Sequence, residues 1–340
     1  MRVLFTTTGT AGHLLPLVPV ARACLRAGHA VCVATQRSRG DDVRKAGLPL
    51  HAFDDPPAGA WRPIMAATAQ LSVEEANARV VGELFARVGT RAALHGVLDI
   101  VEAWRPAVVV RETYEIAGGL AAELHGIPQV RVGLGLARTE RWAVDLARPA
   151  LNGFRTELGL PDDPEAERIL TSPYLTLVPP ALEGPTVPGP RQAVRFRAGD
   201  PGPLTPLPNW WPGNDDPLVY LTFGSMAGYL GYFPALYRAA IEALAALPVR
   251  ILVSTGHGGD PAELRRLPPN VHVERWAPQR DVLGHAAAVV CHGGFGTTLG
   301  ALDLSGRPPL RRRCPANGWP TSSARPASCW SRARRRSGTR

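Results

Sequence analysis

The residues best equipped for chemistry in the second half of the chain fall in three short stretches. His292-Gly293-Gly294-Phe295-Gly296-Thr297 follows an apolar run that ends at Cys291, and it opens a helical pattern. Glycines let a backbone come close to a ligand, and the unpaired amides and dipole of a helix start attract a diphosphate. His292 adds a ring N–H able to donate to a phosphate oxygen. A plain glycine-rich turn is the competing reading, since such turns recur in parallel sheets. Upstream, Trp276-Ala277-Pro278-Gln279 offers an indole that can stack on a nucleobase or pack beside it. Thr222-Phe223-Gly224-Ser225 ends another apolar run, and the carboxyl ends of parallel strands are where such sheets bind ligands.

The first half carries one comparable feature. Gly9-Thr10-Ala11-Gly12-His13 is a tight loop between the strand-like run Arg2–Thr6 and the apolar helical run Leu14–Leu25, which Gly28 closes. A histidine there can take a proton from a hydroxyl near neutral pH. It can equally do no more than cap the helix that follows.

These residues need a scaffold of alternating strands and helices, and the chain supplies one. Arg2–Thr6, the helical run and Ala30–Ala34 make a βαβ unit, so a doubly wound parallel sheet is expected. Strands at Ala107–Val110 and Gln129–Val132 flank a helix over Ile116–Leu124. Between Trp61 and Trp104 lies a helix-rich stretch longer than a crossover requires, which suggests a lid or the wall of a site. Residues 197–216 hold five prolines and read as a linker, with Asp215-Asp216 in a turn. A second series follows: strands Leu218–Thr222, Val249–Ser254, Val271–Glu274 and Ala288–Cys291, and helices over Phe233–Leu247 and from Phe295.

Composition narrows the class. The formal charge is +9, yet the ten arginines of 307–340, a stretch without acid or lysine, account for all of it. Residues 1–306 are near neutral, so no basic face for nucleic acid is expected. No apolar run reaches membrane-spanning length, and no signal peptide is apparent, which predicts a cytoplasmic protein without stable membrane insertion. The five cysteines show no metal-ligand spacing, and no carboxylate arrangement suggests a metal.

Taken in order, T-F-G-S, R-W-A-P-Q-R-D-V-L and V-V-C-H-G-G-F-G-T-T-L-G-A resemble the nucleotide-sugar-binding half of family 1 glycosyltransferases, most closely the actinomycete enzymes of antibiotic and polyketide biosynthesis. Gly9–Leu17 is similar to the first loop of those enzymes. The resemblance implies an α/β fold of the GT-B type, with two Rossmann-like domains facing a cleft and the second incomplete. The domains would be 1–196 for the acceptor and 217–306 for the nucleotide-sugar, with the 61–104 stretch shaping the acceptor pocket.

It also implies roles. His13 would be the catalytic base, paired with an acidic residue after the strand near position 110. Glu112 comes first after that strand and is preferred to Glu115, which reads as a solvated surface carboxylate. Thr222, Gly224, Ser225, Trp276, Gln279, His292, Gly293, Gly294, Gly296 and Thr297 would bind the donor, the glycine loop and helix stabilising the diphosphate without metal. Partners would be a TDP- or UDP-sugar, consumed as co-substrate with no further cofactor, and a small hydrophobic acceptor; neither a homodimer nor an activator protein is identified. The expected reaction is inverting transfer to a hydroxyl. The alternative is an inactive, truncated protein that only binds nucleotide or activates a partner. A dinucleotide-dependent oxidoreductase fits poorly, because the first loop lacks G-x-G-x-x-G spacing.

The resemblance stops near Pro308. In the family, G-x-P leads into a valine-rich strand and then an aspartate–glutamine pair that contacts the sugar. Here Gly306-Arg307-Pro308 leads into Pro309-Leu310-Arg311-Arg312-Arg313 and an arginine-, proline- and serine-rich tail that reads as disordered. Arginine codons of the form CGN, read one base later with cytosine or thymine next, encode valine, alanine, glycine or aspartate. Arginines in place of a valine strand are therefore what a frame slip near Pro308–Pro309 in a GC-rich gene would produce. The other reading is a genuine basic extension.

Overall fold

Short strands build two separate parallel sheets in the computed structural model, which describes residues 1–8, 11–68, 70–183, 193–199, 203–225, 227–229 and 231–305. The first sheet contains β1 (Arg2–Thr6), β2 (Ala30–Gln36), β3 (Leu50–Phe53), β4 (Val108–Glu112), β5 (Gln129–Val132), β6 (Tyr174–Thr176) and β7 (Ala193–Arg195). Their order is β3-β2-β1-β4-β5-β6-β7, parallel throughout. The second contains β8 (Leu218–Thr222), β9 (Arg250–Ser254), β10 (Val271–Glu274) and β11 (Ala288–Cys291) in the order β10-β9-β8-β11, also parallel.

Both orders run backward and then jump, at β1/β4 and at β8/β11. Connections leaving such neighbours diverge to opposite faces and open a crevice at their carboxyl ends. In register Thr6 lies beside Arg111, and Thr222 lies beside Cys291, so the segments after these residues meet at the two reversals. The central strands are apolar because helices cover both their faces: Val3, Leu4 and Phe5 of β1 are buried, as is every residue of β8.

The expected helix over Leu14–Leu25 is divided into a short turn of helix, Ala11–Leu14, and a helix Val18–Arg26. Pro16 has no amide to continue the first, whereas Pro19 sits in the opening turn of the second, where a missing donor costs little. The 61–104 stretch holds a helix at Trp61–Ala66 and one continuous helical run from Val73 to Trp104. A capping box starts that run, with the Ser72 hydroxyl accepting from the Glu75 amide and the Glu75 carboxylate accepting from the Ser72 amide. Its middle, Val80–Gly89, is wound as a wider π-type helix.

Several elements lie outside the sequence expectation. β3, β6 and β7 are three or four residues long, too short to show a period. The helix Ala137–Glu157 contains Pro149, a residue unfavourable inside a helix, yet Ala143, Val144, Ala147, Leu151 and Phe154 bury one face against the Val80–Trp104 helices. Within the linker, residues 203–216 have no helix or strand, but they are held to the second sheet. Trp211 is buried beside Leu218, Tyr220 and Leu252, Trp210 stacks on His272 at 4.8 Å, and the Asp281 carboxylate accepts from the Thr205 amide at 3.1 Å.

Among the described residues β11 has a strand neighbour on one side only, and its residues are partly exposed. No described helix is long and apolar enough to cross a membrane. The readings made of Gly9, Thr10 and the 307–340 tail, including the frame slip and the basic extension, lie outside the described residues.

Gly118 shows how tightly the first reversal is closed: a Cβ there would run into the Thr6 hydroxyl and the Glu115 carboxylate. Gly118→Ala is expected to lower the thermal and urea midpoints, with a cost of about 1–3 kcal/mol from overpacking. An unchanged midpoint would contradict this account of the reversal.

Candidate active site

At the β1/β4 reversal, His13 and Glu112 meet although 99 residues separate them. His13 Nδ1 lies 2.9 Å from Glu112 Oε1. Three further donors converge on the same carboxylate: the Thr8 hydroxyl at 2.7 Å, the Thr8 amide at 3.2 Å and the Tyr114 amide at 2.6 Å. Glu112 has no exposed surface, while the His13 side chain is 13% exposed. Burial would push the Glu112 carboxyl up, but the neighbouring His13 charge and the hydrogen bonds from His13, Thr8 and Tyr114 outweigh it and hold the group below its usual range. An ionised Glu112 accepting from Nδ1–H leaves Nε2 as the basic nitrogen.

Thr8 escaped the sequence reading. It is the second residue after β1, and its hydroxyl also lies 3.1 Å from His13 Nδ1, so it bridges the pair. A hydroxyl just past a strand end was its sole signal.

Glu115 requires a correction. Read as a solvated surface carboxylate, it is buried, accepting from the Thr6 hydroxyl and twice from the Gly118 amide at 3.0 Å. The β4 turn folds it back beneath the sheet end, which its position in sequence could not reveal. Burial pushes it up to about 7, with the Thr6 and Gly118 bonds opposing. Behind it lie Glu140, which accepts from the Thr113 hydroxyl and the Leu134 amide, and the buried Arg111 and Arg131. Burial also raises Glu140 to about 7, against Arg131, Thr113 and the Leu134 amide. Desolvation and Arg131 together lower Arg111 to about 10. A largely buried layer of mixed charge thus underlies the His13–Glu112 pair.

The β8/β11 reversal gathers the donor-site candidates. Tyr220, Ser254 and Thr222 form a chain of hydroxyls, with oxygens 2.7 and 3.0 Å apart, and the Gly224 amide donates to Thr222 at 3.3 Å. The His292 ring lies between Gly224 and Gly294. A Cβ on Gly224 would come 2.7 Å from His292 Cε1, and one on Gly294 would overlap the ring. Gly224 and Gly293 also have φ of +82° and +81°, which favour glycine. The helix Phe295–Ser305 begins directly after this loop, and its opening amides face outward along the axis. Partial burial lowers the His292 pKa, favouring a neutral ring that still carries one N–H.

The remaining candidates are distributed around this centre. Gln279 donates from its amide to the Thr297 hydroxyl at 2.7 Å, linking the helix Gln279–His285 to the first turn after the glycine loop. Gly296 lies in that turn with open space at its Cβ position. The backbone of Ser225 abuts Gly256, where a Cβ would lie 3.0 Å from Ser225 Cα. Trp276 is 54% exposed and stacks on His257, with centroids 5.1 Å apart and planes at 15°. Among the described residues no group of three His, Cys, Asp or Glu is placed to hold a metal ion.

Two outcomes follow from this geometry. Glu115 and Glu140 hold their protons more tightly folded than unfolded, so between about pH 4.3 and pH 7 the native state binds more protons and loses stability as pH rises, by at most about 1.4 kcal/mol per pH unit for each group. Urea midpoints across pH 5–7.5 should decline in the parent and decline less in Glu115→Gln; equal slopes would contradict this assignment. Gly294→Ala should displace the His292 ring and weaken nucleoside diphosphate binding at least tenfold in calorimetry. Unaltered affinity would separate His292 from that site.

The comparisons with known proteins extend over both halves. Residues 22–172 match the family described as erythromycin biosynthesis protein CIII-like, N-terminal domain, and residues 212–308 match UDP-glucoronosyl and UDP-glucosyl transferase. The L-demethylnoviosyl transferase of Streptomyces niveus is 33% identical over 313 residues, covering 89% of this chain and 77% of the relative. The elloramycin glycosyltransferase ElmGT of Streptomyces olivaceus is 31% identical over 321 residues, 89% of this chain and 78% of its own. The crystal structure of the glycosyltransferase SnogD from Streptomyces nogalater superposes with a TM-score of 0.69 at 30% identity, covering 89% of this chain and 80% of that one. The two reversal-strand sites and these matches along both sheets lead to one conclusion: the chain belongs to the family 1 glycosyltransferases of actinomycete antibiotic biosynthesis, enzymes of the GT-B fold.

Proposed function

We propose that the chain catalyses inverting, metal-independent transfer of a sugar from a TDP- or UDP-sugar to a hydroxyl of a mostly apolar natural product. The observation that carries this reading is the buried, ionised Glu112 bonded to His13 Nδ1 at 2.9 Å. His13 Nε2 takes the acceptor hydroxyl proton as the acceptor oxygen bonds to the anomeric carbon. The bond from that carbon to the diphosphate oxygen breaks from the opposite side, so configuration inverts. Glu112 stabilises the imidazolium and holds its orientation. The diphosphate leaves with its charge against the amides after Gly294 and the N–H of His292. Trp276 offers an exposed indole face to the nucleobase. A thymidine nucleotide is favoured because a relative 27% identical over 91% of this chain is the TDP-daunosamine transferase DnrS of Streptomyces peucetius.

With a TDP-sugar and an apolar hydroxyl acceptor, His13→Ala and Glu112→Gln should each lower kcat by roughly 10²- to 10⁴-fold. Full transfer by His13→Ala would remove the base role. The product's anomeric configuration by NMR should be opposite to the donor's, and EDTA should leave the rate unchanged. Retained configuration or loss of activity with chelator would overturn the inverting or the metal-independent part respectively.

A further inference from the structure

Glu112 and Thr8 engage one atom of the His13 ring, and a ring held at one atom can still swivel. Two aromatic side chains occupy the space into which it would turn. Phe85 lies 5.1 Å from the imidazole centroid with planes at 45°, and Tyr114 lies 5.5 Å away at 55°. The two aromatics also pack on each other, at 5.3 Å and 31°. Both also line a narrow apolar cavity with Val81, Ile116, Val144 and Leu151, no wider than one water needs.

Each aromatic is placed by a distinct backbone feature. Phe85 belongs to the wide Val80–Gly89 segment, and such segments, which depart from ordinary α-helical spacing, recur at functional sites. Tyr114 touches both members of the pair, through its ring to His13 and through its amide to Glu112.

From this arrangement we infer that Phe85 and Tyr114 are positioning residues, an aromatic bracket that holds the His13 imidazole with Nδ1–H toward Glu112 and Nε2 available for the acceptor proton. The inference rests on the reading of His13 as base. Thr8 makes the bracket necessary. Its hydroxyl donates to the same Glu112 oxygen at 2.7 Å, so an imidazole released from the aromatics can surrender its bond to Glu112 and protonate on Nε2 instead.

The full chain labelled with ¹⁵N-histidine tests this directly, with His13→Gln identifying the His13 signals among the nine histidines. The parent protein should show His13 as one tautomer, protonated on Nδ1. Phe85→Leu and Tyr114→Leu should bring the two ring nitrogens toward exchange-averaged shifts, and Phe85→Tyr should keep the parent pattern. Unchanged signals from His51, which packs on Trp104 in the same half of the chain, would show that the fold persists. Phe85→Met refills the space without a flat ring and serves if leucine prevents folding. An unaltered His13 tautomer in Phe85→Leu or Phe85→Met and in Tyr114→Leu would overturn the bracket. In turnover, Phe85→Leu should lower kcat roughly 10- to 100-fold with KM little changed. Full activity in His13→Ala would instead remove the base reading and leave the tautomer result standing.

Discussion

A carboxylate with no exposed surface keeps its charge only when donors converge on it, and the N-terminal site is organised around meeting that condition at Glu112. The Thr8 amide and hydroxyl, His13 Nδ1 and the Tyr114 amide all point at its two oxygens. Without them burial would favour the neutral acid, which can neither orient an imidazole nor stabilise its cation. The donors come from the segment after β1 and the turn after β4, so the site depends on those strands being neighbours. Strand order is therefore part of the chemistry.

The second half meets a different constraint with the same topology. At its strand reversal the elements are backbone and ring: the His292 imidazole between two glycines, and a helix that starts where the glycine loop ends. Side chains at 224 or 294 would occupy the place of the ring, and φ near +80° at 224 and 293 would strain any of them. The hydroxyl chain Tyr220–Ser254–Thr222 joins β8 to β9 beneath this loop, so polar groups at the strand ends satisfy one another, while the first amides of a helix have no partner within it.

Between core and site in the first half lies the layer of Glu115, Glu140, Arg111 and Arg131. Burial favours the neutral acids at Glu115 and Glu140 and the uncharged form of Arg111, yet charges of both signs lie close enough to offset one another. Such layers add little net stability compared with apolar packing, but they resist displacement because a member that moves leaves its neighbour's buried charge uncompensated. Here the resistance is transmitted to Thr6, Thr113 and the strand ends that carry Thr8 and Glu112.

Much of this was legible from residue order. Apolar runs and glycine punctuation located β1, β2, β4, β5 and β8–β11, most clearly the central β1 and β8, whose burial leaves nearly continuous hydrophobic stretches. The glycine loop stood out because it follows a strand and opens a helix, whereas the pairing of His13 with Glu112 came from the resemblance of the first loop to the family. Strands of three residues and a helix holding Pro149 were invisible, since so short a run has no period and local propensity opposed the helix. What residue order by itself determined was which local segments form and which ends of them could carry chemistry. Folding across long separations decided the rest: it buried Glu115 against Thr6, 109 residues away, brought Thr8 to Glu112 and set Phe85 beside His13. Burial and partnership are properties of neighbours in space, and no pattern along a single chain records who those neighbours will be.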